Sequence, residues 1–228
     1  MPLRGGGEVL TEATDARVQL QRDAEGLALV GDGMMLRADF TRLLPRLRPD
    51  RLGRELLVRA ARVRGVEGPT AIDATAGLGE DSLLLAAAGF RVTMFEKDPV
   101  IAELLRDALE RASATAELAG VVARMELVEG DSVAGLRGLG FSPDVVFLDP
   151  MFPERTKSAA VKKKFQLLHH LERPCDNEDE LLAAALAVRP RKVVIKRPPK
   201  GPYLAGAKPS HSLAGKAVRY DVIVPPRG

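Results

Sequence analysis

The sequence predicts an α/β protein: a mostly parallel sheet of seven strands with helices on both faces, preceded by a small N-terminal extension of hairpin and helix. Three observations lead there. From residue 69 short apolar runs alternate with helical ones. The run Val145-Val146-Phe147-Leu148 is apolar at every position, as in a strand covered on both faces. A glycine-bearing turn, Ala76-Gly77-Leu78-Gly79, joins the first such run to a helical stretch.

The 228 residues carry 34 Lys and Arg against 31 Asp and Glu, with 46% hydrophobic and 29% charged side chains. This is the usage of a globular chain with a sizeable core, which excludes disorder, collagen and coiled coil. Residues 1–153 hold 18 basic and 24 acidic side chains, whereas residues 154–228 hold 16 and 7, so a net of −6 is followed by one of +9. Such a basic end is either a polyanion-binding face or a solvated surface. No apolar run approaches the roughly 20 residues of a membrane span, and the opening MPLRGGGEVLTEATD lacks the apolar centre of a signal peptide. A cytoplasmic protein with no membrane partner is expected. The lone Cys175 excludes an internal disulfide and reads as an inert thiol; His169, His170 and His211 have no partner at metal-ligand spacing, so no metal is expected.

The extension covers residues 1–66 and the main domain 67–228. In EGLALVGDGMMLRADF, apolar runs flank Gly31-Asp32-Gly33, the turn chemistry of a hairpin. A helix is expected from about Leu52, with Leu56, Leu57, Ala60, Ala61 and Val63 on one face. In the main domain TAIDAT precedes a helix over DSLLLAAAGF, RVTMFEKD precedes VIAELLRDALERA, and RMELVEGD precedes the short SVAGLRGL. PDVVFLDP is the fourth strand; the helix DELLAAALAV leads into a fifth, RKVVIKRP, and AGKAVRYDVIVP adds antiparallel edge strands.

The turn after the first strand is built to hold a ligand. Gly77 and Gly79 lack Cβ atoms, so their amides can approach a bound molecule closely, and the third glycine of the dinucleotide fingerprint is replaced by Ser82. Asp73, Glu80 and Asp81 surround the turn; they would repel a pyrophosphate but suit an amino group and a positive sulfur, which favours S-adenosylmethionine over NAD. Helix capping is the other use for Glu80 and Asp81. Glu96, ending the second strand, can accept both ribose hydroxyls of a nucleoside. At the end of the third strand Asp131 either accepts from an adenine amine, with the Ser132 amide donating to the ring, or caps a helix.

After the fourth strand Asp149-Pro150-Met151-Phe152-Pro153 resembles the [DNS]-P-P-[YFW] motif of class I methyltransferases that modify exocyclic amines, with Met151 in place of the second proline. Asp149 and the Pro150 carbonyl can accept the two protons of a base amine while Phe152 stacks on the base. Asp149 can equally bind the cofactor's amino group. The segments DATAGLGEDSLLLAAAGFRVTMFEKD, VVFLDPMFPERTKSAAVKKKF and RKVVIKRPPKGPYLA are similar to the ribosomal RNA small subunit methyltransferase J family over about residues 69–224. The resemblance implies a Rossmann-like class I methyltransferase fold, S-adenosylmethionine as cofactor, and methylation of guanine N2 in 16S rRNA, naked or in the small ribosomal subunit. It implies cofactor contacts at Glu80, Asp81, Glu96, Lys97, Asp131, Ser132 and Asp149, of which Lys97 comes from the family alone. The family loop usually carries Arg where this chain has Glu80, which points to a backbone contact there. The basic, glycine-rich stretch expected before the first strand is matched only faintly, by Arg46 to Arg54.

Arg155, Lys157, Lys162, Lys163 and Lys164 follow the fourth strand, and Lys196, Arg197 and Lys200 the fifth, so they are expected to flank the methyl donor and hold RNA phosphates. Tyr203 and Tyr220 stack or pack. The competing readings are an enzyme of the same fold acting on DNA, tRNA or another acceptor, a non-catalytic RNA-binding protein, and a small-molecule dehydrogenase, the last disfavoured by the missing glycine.

Overall fold

Asp32 and Gly33, both with positive φ (49° and 68°), make the two-residue turn that the sequence predicts. It joins β3 (Gly26–Gly31) to β4 (Met34–Leu36). The computed structural model describes residues 9–10, 18–150, 167 and 177–226. In it the hairpin extends to a four-stranded antiparallel sheet through β1 (Val9–Leu10) and β2 (Val18–Asp23), in the order β1-β2-β3-β4. Arg22 of β2 reaches 2.7 Å to Asp107 on the main domain.

A 3-10 turn (Phe40–Leu43) follows, then α1 (Leu44–Leu47), α2 (Pro49–Leu52) and α3 (Leu56–Ala61). The helix expected from about Leu52 is α3 and begins four residues later, at Leu56, while the proline-bearing stretch before it, which the sequence left unassigned, forms α1 and α2. Pro45 and Pro49 each lie in a first turn, where a missing N–H costs nothing, and Pro49 separates α2 from α1. Leu57, Ala60 and Ala61 are buried as their spacing predicts.

The main domain runs β5 (Thr70–Asp73), α4 (Glu80–Ala87), β6 (Arg91–Glu96), α5 (Pro99–Ser113), α6 (Ala116–Val122), β7 (Met125–Glu129), α7 (Ser132–Arg137) and β8 (Val145–Leu148). It continues with α8 (Glu178–Ala187), β9 (Lys192–Arg197), a 3-10 turn (Leu204–Gly206), β10 (His211–Ala214) and β11 (Arg219–Ile223). The sheet order is β10-β11-β9-β8-β5-β6-β7. Strands β5 to β9 are parallel; β11 runs antiparallel to β9, and β10 antiparallel to β11. Sequence reading leaves α6 unassigned, because its small residues and Gly120 carry little helical pattern of their own.

Alternation along the strands explains their continuous apolarity. Ala71, Val145, Phe147 and Val194 join the core formed with α3, α4, α5 and the N-terminal sheet. Ile72, Val146, Leu148, Val193 and Ile195 join the opposite core, with Leu136 of α7 and Leu181, Leu182 and Ala185 of α8. The chain moves outward from β5 to β7 and then returns to place β8 on the other flank of β5. Between β5 and β8 lies the switch point where open α/β sheets bind ligands, at the C-terminal strand ends.

Candidate cofactor and acceptor site

The turn after β5 is stitched to its neighbours. Ala74 N–H donates to the Phe147 carbonyl, Ala76 N–H to that of Phe95, and the Asp149 N–H to Thr75 Oγ1 at 2.7 Å. Beneath it, Asp73 is 1% exposed and accepts from the Ser82 hydroxyl (2.6 Å) and the Thr75 N–H (3.0 Å). Burial pushes its pKa up to about 7 against those two hydrogen bonds. Asp73 is thus a brace inside the turn and not, as its place in the sequence implied, a group facing the ligand.

The two glycines of the turn also part ways. Gly79 (φ +74°) precedes α4, and a Cβ there would lie 2.7 Å from Leu105 Cδ1 and 3.2 Å from Phe40 Cζ, so its missing side chain serves packing. Among the described residues nothing lies within 4 Å of the Cβ that Gly77 (φ +52°) lacks, and its backbone borders open space there. Glu96 accepts the Gly77 N–H and the Asp98 N–H, both at 2.9 Å, and burial raises its pKa. Lys97 is exposed. Asp131 caps α7 by accepting the Ala134 N–H at 2.9 Å, and Ser132 is the first residue of that helix. The order of strands sets Asp131, Glu96, the β5 turn and Asp149 side by side along the sheet edge.

Beyond Asp149 stands Lys196. Its Nζ is 2.6 Å from Asp81 Oδ2 and 2.8 Å from Asp149 Oδ2. Burial alone would lower the ammonium's pKa, but the two carboxylates outweigh it and hold that pKa far above the ordinary lysine value. Lys196 therefore belongs to the site itself, and the expectation of a phosphate contact on an RNA-facing surface is corrected. Arg197 is corrected as well. Its side chain is 0% exposed, with Nε donating to the Pro202 carbonyl (3.0 Å) and an amino nitrogen to Glu178 (3.2 Å). Pro150 is buried; Phe152, Arg155, Lys157, Lys162, Lys163 and Lys164 lie outside the described residues.

A cleft of about 500 Å³ opens beside Asp81 and Lys196, walled by Arg46, Arg51, Arg54 and Tyr220. Arg46 makes a two-pronged pair with Glu55, both contacts at 2.8 Å. Tyr220 is the register partner of Lys196 on β11, so both side chains stand on one sheet face. Its ring lies 6.5 Å from that of Phe147, and burial, then Asp81, raises its pKa. Sequence reading gave Tyr220 no role at the site, because only strand pairing brings it beside Lys196. Tyr203, by contrast, is exposed beneath the Arg219 guanidinium.

The family model of SAM-dependent methyltransferases matches residues 8–225. Ribosomal RNA small subunit methyltransferase J of Thioalkalivibrio sulfidiphilus is 48% identical over 172 residues, 75% of this chain and 68% of that protein. The chain belongs to this family. The enzyme of the same name from Pseudomonas fluorescens Pf-5 is 45% identical over 74% of the chain and 65% of its own length, so the chain spans about two thirds of the curated relatives it matches. The crystal structure of the SAM-dependent methyltransferase NGO1261 from Neisseria gonorrhoeae superimposes with a TM-score of 0.76 at 32% identity, covering 95% of this chain and 86% of that one.

S-adenosylmethionine is the cofactor of the family, and the residues present fit it. The open backbone face at Gly77 leaves room that any side chain would fill, and Glu96 lies at the next strand end, 8% exposed. Asp81 and Asp149, which share the one Lys196 ammonium, carry negative charge that would suit an amino group and a sulfonium. Glu96, the Gly77 backbone, Asp131 and Ser132 are the groups that would hold the nucleoside, and Asp81 and Asp149 those nearest the amino acid part.

Proposed function

We propose that this protein transfers a methyl group from S-adenosylmethionine to the exocyclic N2 of a guanine in 16S ribosomal RNA. The observation that carries the reading is Asp149. It follows β8 at the switch point of the sheet, its N–H fixed by Thr75 and its carboxylate by Lys196, directly before Pro150. The relatives named ribosomal RNA small subunit methyltransferase J supply the acceptor.

A guanine amine is a weak nucleophile because its lone pair is delocalised into the ring. Asp149 accepts one of its N–H groups, and the Pro150 carbonyl the other, which orients the nitrogen and returns lone-pair density to it. When bound, S-adenosylmethionine would supply an electrophilic methyl group on a positively charged sulfur and leave as the neutral thioether S-adenosylhomocysteine, with one N2 proton passing to the Asp149 carboxylate and on to water. Lys196 holds the Asp149 carboxylate in place, so the acceptor is aligned before reaction at no reorganisation cost. Burial of the turn beneath Thr75 and Asp73 keeps the platform rigid.

The test is transfer of labelled methyl to small ribosomal subunits, naked 16S rRNA and tRNA, followed by nucleoside analysis. N2-methylguanosine in the ribosomal samples is expected. Label in tRNA alone, or in no RNA, overturns the reading, as does full activity in Asp149→Ala.

A further inference from the structure

We infer that Arg51 and Arg54 form an anion site that takes a backbone phosphate of the RNA next to the target nucleotide. The inference rests on the proposed RNA acceptor and adds where that acceptor is held.

Placement comes first. Helix α3 packs against β9, β10 and β11, so the junction between α2 and α3 lies over the flank of the sheet beyond Asp149. Glu96 and Asp131, the nucleoside-side acids, end β6 and β7 on the opposite flank. The cleft thus opens on the side from which an acceptor can reach Asp149 without crossing the nucleoside site.

Charge comes next. Within the cleft Arg46 is committed to Glu55, and Lys196 to Asp81 and Asp149. Arg51 and Arg54 are exposed and line the same cleft, and among the described residues neither makes an ion pair or a side-chain hydrogen bond. Glu80 and Asp81, at the α4 end, repel an anion and leave the arginine end as its place.

Local structure presents the pair together. Arg51 N–H donates to the Arg48 carbonyl at 2.9 Å and Arg54 N–H to the Arg51 carbonyl at 2.8 Å, so the two arginines stand on successive turns, three residues apart. Pro49 pins the start of this segment, and buried Leu57, Ala60 and Ala61 anchor its end. Guanidinium forks match the paired oxygens of a phosphodiester, and their weak hydration makes them suited to it. The cleft volume, about 500 Å³, falls in the ~300–1,000 Å³ range of small-molecule sites and suits a single nucleotide.

The experiment compares wild type, Arg51→Ala/Arg54→Ala and Arg51→Lys/Arg54→Lys. Binding of 16S rRNA is measured from 50 to 300 mM salt, and S-adenosylhomocysteine binding by calorimetry. Loss of the one phosphate contact that the two arginines share should shrink the slope of log K against log salt by about 0.7 in the alanine variant. The lysine variant should keep the slope and lose several-fold in affinity, and S-adenosylhomocysteine affinity should match wild type in both. An unchanged slope in the alanine variant overturns the site. Weaker S-adenosylhomocysteine binding at unchanged slope also overturns it, by assigning the arginines to the cofactor's carboxylate. Failure of wild type to methylate an RNA that it binds with the expected slope difference would remove the proposed reaction and leave the anion site standing.

Discussion

Lys196 Nζ lies 2.8 Å from Asp149 Oδ2, and the same nitrogen lies 2.6 Å from Asp81, so one cation ties the end of β8 to the first turn of α4. Without it two carboxylates would face each other across the site. Removing the cation in Lys196→Met should release the Asp149 carboxylate from its position and lower kcat in the methyl-transfer assay, with S-adenosylhomocysteine binding as the control for folding. With these side chains 20 to 37% exposed, the stability loss should be about 1–2 kcal/mol. An unchanged kcat would refute the role of Lys196 in positioning Asp149.

Glu96 does two things at once: it accepts the Gly77 and Asp98 N–H groups and stands where ribose hydroxyls are expected. Glu96→Ala should weaken S-adenosylhomocysteine binding by about 1.5–3 kcal/mol, the worth of hydrogen bonds to a charged group. Calorimetry checks this, and unchanged affinity would dismiss Glu96 as the ribose anchor.

Gly79 and Gly77 should respond differently to alanine. At Gly79 the added methyl must displace Leu105 and Phe40 and sit at φ +74°, for a stability loss of about 2–4 kcal/mol. At Gly77, among the described residues, only the φ of +52° opposes it, about 1 kcal/mol, and the methyl would enter the space proposed for the cofactor. Urea denaturation should therefore separate Gly79→Ala, and cofactor titration Gly77→Ala. The reverse pattern would mean that the loop's glycines have been assigned the wrong way round.

Asp73 predicts a pH dependence of stability. Its carboxyl titrates at about 7 in the folded protein against 3.8 unperturbed, with burial the largest cause. Between those values the folded state holds a proton that the unfolded chain has released, so this group's contribution to stability falls as pH rises through the window and levels off above it. At ~1.4 kcal/mol per unit the loss is a few kcal/mol. Denaturation at pH 5 and pH 8 should show a larger drop for wild type than for Asp73→Asn; equal drops would contradict the buried, proton-holding state.

Much of this architecture was legible in the chain because its signals are local. The Asp32-Gly33 turn, the apolar run at Val145 to Leu148 and the acids at strand ends each follow from neighbouring residues. Lys196 and Arg197 illustrate where that stops. Both were read as basic residues leaving a strand, yet side chains alternate across a sheet. Lys196 shares the face of Val194 and meets Asp81 and Asp149, whereas Arg197 shares that of Ile195 and is buried against Glu178. The period of two separates them in sequence, but which face holds the site depends on where α4 and α8 pack.

By itself, then, the sequence determined the parallel sheet and the acids at the ends of β6, β7 and β8, since periodicity and strand-end chemistry are written over a few residues, and the resemblance of three of its segments pointed to the methyltransferase family. Tertiary structure alone decided that Asp73 turns inward, that Gly79 serves packing, and that Arg51 and Arg54 share a cleft with Lys196 and Tyr220. Those relations join residues up to about 170 positions apart, and only strand order and the packing of α3 on β9 and β11 bring them within reach.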